Sequence, residues 1–351
     1  MIAELTLNSE RKLARALIEA SGLTFEDTFD VMIGLYDGER LVATGSRAGN
    51  ILKMLAVTPD CQGGSALGEL VTELVIDGRR AGHESLFVYT RPEYAVSFQS
   101  LNFFPLAQQE KAALLEYGNG LGRWLESKLD LLRPGLNGAV VVNCNPFTNG
   151  HLYLIENAAR QLDHLYIFVV REDRSVFPFD VRYQLVEQGV RHLPNVLLLD
   201  TSRYIVSGAT FPTYFLKRND PAARIQMELD VILFASKIAP FFGITRRFVG
   251  SEPNDPLTGG YNLVMQEILP AYGIETRIVE RKQTATGAIS ASRVRELVGR
   301  GDFAALSADI PETTLAFLEN DAAESIRKRL QDDFRNTPPR AGANTDFPPL
   351  K

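Results

Sequence analysis

The chain has 351 residues, of which 45% are hydrophobic and 23% are charged, and its formal net charge is −6 at pH 7. This length predicts two domains, and the acidic balance argues against a general nucleic-acid binder, which would carry a basic face. Cys61 and Cys144 have no metal-ligand spacing. Neither a secretory leader nor a run of about 20 apolar residues is visible, so we expect a cytoplasmic protein without a membrane partner.

The first third of the chain mixes helical and strand patterns in the manner of an α+β domain. Asp37-Gly38 lies between two alternating runs and predicts a hairpin turn. A glycine-rich turn over residues 62–65 opens a helical pattern. We place this domain at residues 1–117. Its helices are predicted over 9–20 and 93–101, and its strands over 30–36, 40–46, 51–58 and 86–90.

A glycine-containing junction separates this domain from a second one. Residues 118–136 are predicted to be a helical linker, with one helix over 124–132. From residue 137 to residue 334, short apolar strands alternate with helical patterns, which predicts an α/β domain with a parallel sheet covered on both faces. Its ligand should lie beyond the carboxyl ends of the strands, where the strand order reverses. Residues 335–351 are polar and proline-rich, and we predict a flexible tail there.

Residues 145–151, Asn-Pro-Phe-Thr-Asn-Gly-His, follow a buried-strand pattern and precede a helical one. A helix that starts after such a turn aims backbone N–H groups and its positive dipole end at an anion. Thr148 and His151 are three residues apart and should share one side of the helix, and Gly150 tightens the turn. A cation is unfavourable at a helix start, but a neutral histidine there donates a hydrogen bond to a phosphate. The segment therefore predicts a nucleotide pocket.

A second polar turn, residues 290–295, has the sequence Ser-Ala-Ser-Arg-Val-Arg and opens another helical pattern. Ser290 and Ser292 are good N-cap residues. A helix built for stability alone would prefer Glu three residues after Ser292, where the chain has Arg295. An exposed cation in a first helical turn costs about 0.3–1 kcal/mol, and a bound triphosphate would reverse that sign. We therefore expect Ser292 and Arg295 to bind the β- and γ-phosphates.

Other candidate nucleotide contacts lie beside these turns or at the ends of predicted strands. Arginines after the strand over 165–170 are placed to meet a nucleotide or an acyl phosphate, and the end of the strand over 247–250 is placed to meet the adenosine part. No spacing predicts a protein metal cage, which Mg²⁺ bound to a triphosphate does not need. These further candidates are Asn145, Phe147, Arg171, Arg174, Gly250 and Glu252.

The two turns together resemble a known superfamily. Thr148-x-Gly150-His151 resembles the (His/Thr)-x-Gly-His signature of HIGH-type nucleotidyltransferases, and residues 290–295 resemble their Ser-x-Ser/Thr-x-x-Arg signature. The stretches 172–179, 249–256 and 289–297 are similar to those of the [citrate (pro-3S)-lyase] ligases, and the similarity spans nearly the whole chain. The resemblance implies a Rossmann-like parallel-sheet nucleotidyltransferase domain preceded by a GNAT-like domain.

The resemblance also implies an activity. Members of the family are ATP-dependent ligases that join acetate to the thiol of the phosphoribosyl-dephospho-coenzyme A group on the acyl carrier subunit of citrate lyase. The reaction passes through acetyl-AMP, uses ATP with Mg²⁺, and releases AMP and pyrophosphate. The residues that match catalytic positions are His151, which would donate to the α-phosphate, together with Thr148 and Arg295.

Three alternatives remain open from the sequence. A metabolite nucleotidyltransferase would transfer AMP or CMP to a small phosphate-bearing substrate. A non-catalytic regulatory or carrier-binding protein would retain both folds without the chemistry. An acetyltransferase would use the first domain with acetyl-coenzyme A, but Ser65 and Leu67 depart from the glycine-rich pattern that such a site needs. A docking role is therefore expected for the first domain.

Overall fold

A computed structural model of the protein describes residues 1–171, 175–207, 221–252, 255–284 and 287–336. Strands from the first third of the chain form a seven-stranded sheet, and later strands form a separate five-stranded sheet. Helices cover both sheets, so the predicted α/β fold class is confirmed. Within the described ranges, no helix is long and apolar enough to cross a membrane.

The first sheet has the strand order β1-β2-β3-β4-β5-β7-β6, and all neighbours pair antiparallel except β4 with β5. Alternation along β2 decides which helix covers each face. Val31 and Ile33 pack toward α2, whereas Met32 packs toward α1 on the opposite face. The elements of this region are β1 (Ile2–Glu4), α1 (Asn8–Ala20), β2 (Val31–Asp37), β3 (Arg40–Ala48), β4 (Ile51–Val57), α2 (Ala66–Arg80), β5 (Leu86–Thr90), α3 (Ala95–Gln99), β6 (Phe103–Gln108) and β7 (Ala113–Tyr117).

The second sheet is parallel throughout and has the order β10-β9-β8-β11-β12. Its strand β9 is almost continuously apolar, because a parallel strand between two helical layers is buried on both faces. The chain adds β9 and β10 on one side of β8 and then adds β11 and β12 on the other side. The elements of this half are β8 (Asn137–Val142), α5 (Asn149–Ala159), β9 (His164–Val169), α6 (Phe179–Val190), β10 (Val196–Asp200), α7 (Pro221–Leu233), α8 (Ala239–Phe242), β11 (Ile244–Gly250), α9 (Pro256–Ile268) and β12 (Glu275–Val279).

The end of the described chain contains more structure than the sequence analysis assigned. Short strands β13 (Gln283–Thr284) and β14 (Gly287–Ala288) precede α10 (Ala291–Arg300), and α11 (Glu312–Glu319) and α12 (Glu324–Asn336) follow it. Leu318, Ile326 and Leu330 are buried in the same core cluster as α10, which explains why these helices are needed. The predicted tail over 335–351 is wrong for its first two residues, which complete α12, and the rest lies outside the described residues.

The junction between the sheets differs from its prediction. One helix was expected over 124–132, but α4 (Gly120–Glu126) ends earlier and a 3-10 turn (Leu129–Leu131) follows. The helix starts within the glycine-containing segment. Its first residue, Gly120, packs between Ser85 of the first half of the chain and Tyr204 of the second half. A Cβ at Gly120 would overlap the hydroxyls of Ser85 and Tyr204. The predicted domain limits at 117 and 136 stay a prediction.

A buried polar contact holds the two sheets together. Tyr204, which follows β10, donates its hydroxyl proton to Glu116 of β7 over 2.7 Å. Glu116 is only 2% exposed, so this hydrogen bond satisfies a carboxylate that water does not reach. One hydrophobic cluster surrounds it and combines Phe87 and Leu114 of the first sheet with Tyr166 of the second. The two halves therefore share a core.

We expect Gly120→Ala to lower the free energy of unfolding by about 1–3 kcal/mol, because the added methyl group would displace the Glu116–Tyr204 contact. Gly122→Ala is the matched control, since its Cβ would meet only the exposed side chain of Asn119, which is able to rotate. Urea unfolding measures both changes. Equal effects of the two substitutions would contradict this account of the junction.

Candidate active site

A cavity of about 470 Å³ opens at the carboxyl ends of β8 and β11. These neighbouring strands mark the point where the strand order reverses, which is where a parallel sheet leaves a crevice for a ligand. The N-termini of α5 and α10 both face this cavity, because Thr148, Gly150, Ser290 and Ser292 line it. The two polar turns, far apart in sequence, therefore meet at one site.

Thr148 is the N-cap of α5 and fixes the orientation of the His151 ring. Its backbone N–H donates to Nδ1 of His151 over 3.1 Å, and its Oγ1 accepts from the His151 backbone N–H over 3.3 Å. A backbone N–H only donates, so Nδ1 must be the unprotonated nitrogen and the ring proton of the neutral form sits on Nε2. No described residue forms a hydrogen bond with Nε2. The ring thus presents a donor to the cavity.

His151 is held in its neutral form by its surroundings. Burial, and secondarily the positive charge of Arg281, lowers its pKa to about 4. Phe147 lies parallel to the imidazole, with ring centroids 6.1 Å apart and an interplanar angle of 15°. At neutral pH, the helix start therefore carries a hydrogen-bond donor without a competing positive charge.

The second turn is connected directly to the first. Ser290 caps α10 and accepts from the backbone N–H of Arg293 over 3.4 Å. Arg295 donates from Nη2 to Ser292 Oγ over 3.0 Å and from Nη1 to the backbone carbonyl of Asn145. Burial lowers the pKa of Arg295 from its ordinary value. Its guanidinium thus joins the turn before α5 to the first turn of α10.

The structure brings together most of the candidates named from the sequence. Gly250 and Glu252 line the cavity at the end of β11, and Glu252 forms an ion pair with Arg281. Seven candidates line the cavity, five with their side chains and two glycines with their backbone. They are Thr148, Gly150, His151, Gly250, Glu252, Ser290 and Ser292.

Three candidates are placed outside the cavity wall, and the structure does not describe a fourth. Phe147 is fully buried in the core behind His151, where it fills the space beside Gly189. We therefore correct its predicted contact with a nucleotide, because the ring supports the imidazole instead. Asn145 lies behind the turn, where its side chain accepts from the backbone N–H of Phe177 over 3.1 Å. Arg171 is exposed outside the cavity and stacks on Phe179 at 4.8 Å. Arg174 lies outside the described residues.

The segment that follows α10 holds the turn over residues 145–151 in place. The carbonyl of Asp309 accepts from the Asn149 backbone N–H over 2.9 Å, and Thr314 donates to the Phe147 carbonyl over 3.1 Å. Arg293, in the first turn of α10, lies 3.1 Å from the buried carboxylate of Asp309. Sequence reasoning missed these contacts because all of them join positions more than 15 residues apart.

Two arginines that line the cavity were not among the sequence candidates. Arg281 follows β12 and faces His151 closely enough to lower its pKa. Arg247 lies within β11 and is 3% exposed. A signal for Arg247 was present, since a cation inside a strand that is buried on both faces is unusual.

Two helix N-termini that face one cavity at the switch point of a parallel sheet define a doubly wound α/β protein with a built anion site. The sequence model described as "Citrate lyase ligase C-terminal domain" matches residues 137–318. The [Citrate [pro-3S]-lyase] ligase of Klebsiella pneumoniae is 41% identical over 287 residues, covering 80% of this chain and 84% of the relative. That of Escherichia coli K12 is 36% identical, covering 86% and 88%. The chain belongs to the citrate lyase ligase family, and the resemblance found in the sequence is confirmed.

Some solved structures are similar to part of the chain. Thermotoga maritima TmcAL bound with alpha-thio ATP is 15% identical, with a TM-score of 0.36, and the match covers 54% of this chain and 56% of TmcAL. FeeM, an N-acyl amino acid synthase from uncultured soil microbes, is 14% identical, with a TM-score of 0.31, and the match covers 36% and 92%.

We expect His151 to make the free energy of unfolding depend on pH. The folded ring stays neutral down to about pH 4, whereas the ring in the unfolded chain takes up a proton near pH 6.5. Acid therefore favours the unfolded state, so the His151 contribution is fully present above pH 6.5 and is lost as the pH falls toward 4. Between pH 7 and pH 5, the free energy of unfolding of the unaltered protein should fall by about 2 kcal/mol more than that of His151→Ala.

Urea unfolding of both proteins at the two pH values measures this difference. Since all other titrating groups are present in both proteins, the difference between the unaltered protein and His151→Ala reports His151 alone. A difference in unfolding free energy that stays constant with pH would contradict a buried neutral imidazole.

Proposed function

We propose that this protein is an ATP-dependent ligase that acetylates the prosthetic-group thiol of the citrate lyase acyl carrier subunit through acetyl-AMP. The names of its relatives and the family match support this reaction. The observation that carries the proposal within the molecule is the neutral His151, whose Nε2–H faces a cavity between two helix N-termini. The prosthetic group is proposed to be phosphoribosyl-dephospho-coenzyme A.

In the first step, a carboxylate oxygen of acetate attacks the α-phosphorus of ATP, and the bond to pyrophosphate breaks. Negative charge shifts toward the leaving pyrophosphate, so stabilisation of charge and alignment do most of the catalytic work. His151 is placed to donate from Nε2 to an α-phosphate oxygen. Because Nδ1 is held by the Thr148 N–H, the ring keeps this orientation without reorganising.

The β- and γ-phosphates are assigned to the start of α10. Ser292 offers its hydroxyl there, Arg295 offers positive charge, and the positive end of the α10 dipole adds to both. Arg281 and Lys282 line the same cavity and give further positive charge. This concentration of donors fits a polyanion better than a neutral ligand.

The adenosine part is assigned to the end of β11. Gly250 carries no side chain there, and its carbonyl is held by Asn262, which donates over 2.9 Å. Glu252, paired with Arg281, is placed to accept from ribose hydroxyls. Mg²⁺ is proposed to arrive with the triphosphate. Among the described residues, no group of three His, Cys, Asp or Glu side chains offers a metal site of its own.

In the second step, the sulfur of the carrier thiol attacks the acyl carbon of acetyl-AMP. The bond from that carbon to the AMP oxygen breaks, the thiol proton leaves to solvent, and AMP is released. The first domain is proposed to guide the coenzyme-A-like arm. At its glycine-rich turn, Ser65 donates to the Glu69 carboxylate over 2.7 Å, which puts negative charge where a pyrophosphate would bind and supports docking over acetyl-coenzyme A chemistry.

We expect His151→Ala to lower the rate of acetate-dependent exchange between pyrophosphate and ATP by about 100- to 1,000-fold, as loss of one preorganised donor does elsewhere. His192→Ala is the control, because His192 is exposed and pairs with Glu156 away from the cavity. Isotope exchange with labelled pyrophosphate measures the rate. Exchange that does not require acetate, or that survives in His151→Ala, would refute the assignment.

We expect Arg295→Lys to raise the KM for ATP about tenfold, because a single ammonium does not span both the Asn145 carbonyl and Ser292 as the planar guanidinium does. Arg300→Lys, on the same helix but in an exposed pair with Glu296, should leave this KM unchanged. Exchange rates measured against ATP concentration decide the point. Equal KM values for the two variants would show that Arg295 does not position the triphosphate.

A further inference from the structure

Arg247 is a buried charged residue that takes no part in the proposed phosphate contacts. It lies in β11, is 3% exposed and lines the cavity. Its Nε and Nη1 nitrogens have no hydrogen-bond partner among the described residues. A guanidinium carries five N–H donors and is almost always charged, so a buried one without an acceptor is costly.

The neighbours of Arg247 do not supply the missing acceptor. The nearest ring, Phe234, lies 4.5 Å from the guanidinium carbon and gives only a cation–π contact. Asp230 exerts an electrostatic effect on Arg247, but its oxygens accept from the backbone N–H of Val206 over 2.8 Å and from the Tyr261 hydroxyl over 2.5 Å. Burial lowers the pKa of Arg247, which forms no ion pair with any described residue.

The two ends of the cavity differ in chemistry. His151 adjoins Phe147, which belongs to the core cluster on one face of the parallel sheet, whereas Arg247 adjoins Phe234, which belongs to the cluster on the opposite face. At the Arg247 end, the wall is mostly apolar. Its residues there are Val141, Val170, Val206, Tyr261 and Met265.

We propose that Arg247 binds the carboxylate of the acid substrate, with the hydrocarbon part of that acid against the apolar wall. This inference rests on the proposed function and deepens it, since it assigns the acid site within the same cavity. One guanidinium matches one carboxylate in charge and in its two-pronged hydrogen-bond geometry. A short acid such as acetate or propionate fits, whereas a second charged group on the acid would be left without a partner.

A phosphate of ATP fits this position less well. A triphosphate carries several charges and needs many donors, which the helix N-termini, Arg281 and Lys282 offer at the other part of the cavity. The wall near Arg247 is mostly apolar and offers few further donors. A carboxylate seated there would keep its second lone pairs directed into the cavity, from which it attacks the α-phosphorus.

The test is Arg247→Met, assayed by pyrophosphate–ATP exchange at varied acetate and varied ATP. We expect the KM for acetate to rise roughly 100-fold, because two charge-assisted hydrogen bonds are lost, and the KM for ATP to change less than twofold. Arg246→Met is the matched control, since Arg246 is the adjacent residue and pairs with Glu275 outside the cavity. An unchanged KM for acetate, or an increase confined to ATP, overturns the proposal.

Thermal stability separates a substrate-binding role of Arg247 from a structural role, because the two roles predict opposite changes in the unfolding midpoint. Removing an unpaired buried cation should raise the midpoint of thermal unfolding of Arg247→Met above that of the unaltered protein. A lowered midpoint, or a variant that fails to fold, would mean that Arg247 holds the fold together and would overturn the proposal. Arg247→Lys, which keeps the charge but loses the fork, should show an intermediate KM for acetate.

Direct binding separates this inference from the proposed function. Saturation-transfer NMR on the acetate methyl group, with the full chain and a non-cleavable ATP analogue, reports binding without turnover. We expect a signal that is lost in Arg247→Met and kept in Arg246→Met. If the unaltered protein shows this signal but no acetate-dependent exchange, the ligase function fails while the carboxylate site stands; no signal overturns the site.

Discussion

The contact on which the site depends is the Arg295 guanidinium, which joins two turns that lie 150 residues apart in the chain. One of its nitrogens donates to the carbonyl of Asn145 before α5, and another donates to Ser292 in the first turn of α10. A parallel sheet places helix N-termini at the same edge but does not by itself fix their separation. The arginine joins the two turns, so two partial positive charges face one cavity.

The electrostatics of the cavity follow from what burial does to each group. The same removal from water keeps His151 neutral, and so able to donate without repelling Arg281, and leaves Nε and Nη1 of the Arg247 guanidinium without a hydrogen-bond partner among the described residues. The described residues do not complete either arrangement, since none of them forms a hydrogen bond with His151 Nε2 or with Nε and Nη1 of Arg247. Both become favourable when an anion occupies the cavity, which is the pattern expected of a site that binds charged substrates.

Much of the order of strands and helices was predictable because the periodicity of apolar residues is a local property, although β1, β6, β7, α11 and α12 were not assigned. The two turns were predictable because a Thr-x-x-His start and an arginine at position 295 conflict with helix stability. The rest depended on contacts between distant residues. Gly120 is required by Tyr204, and Phe147 belongs to the core because of Gly189. Arg247 was missed because two adjacent arginines in a short strand pattern do not reveal which of the two is buried.

The most direct test is a crystal structure with α,β-methylene ATP, which is not cleaved at the bond in question. The account predicts the triphosphate between the N-termini of α5 and α10, with an α-phosphate oxygen within hydrogen-bond distance of His151 Nε2 and the outer phosphates at Ser292. A cavity that stays empty at saturating nucleotide, or a nucleotide bound at another surface of the molecule, would contradict it.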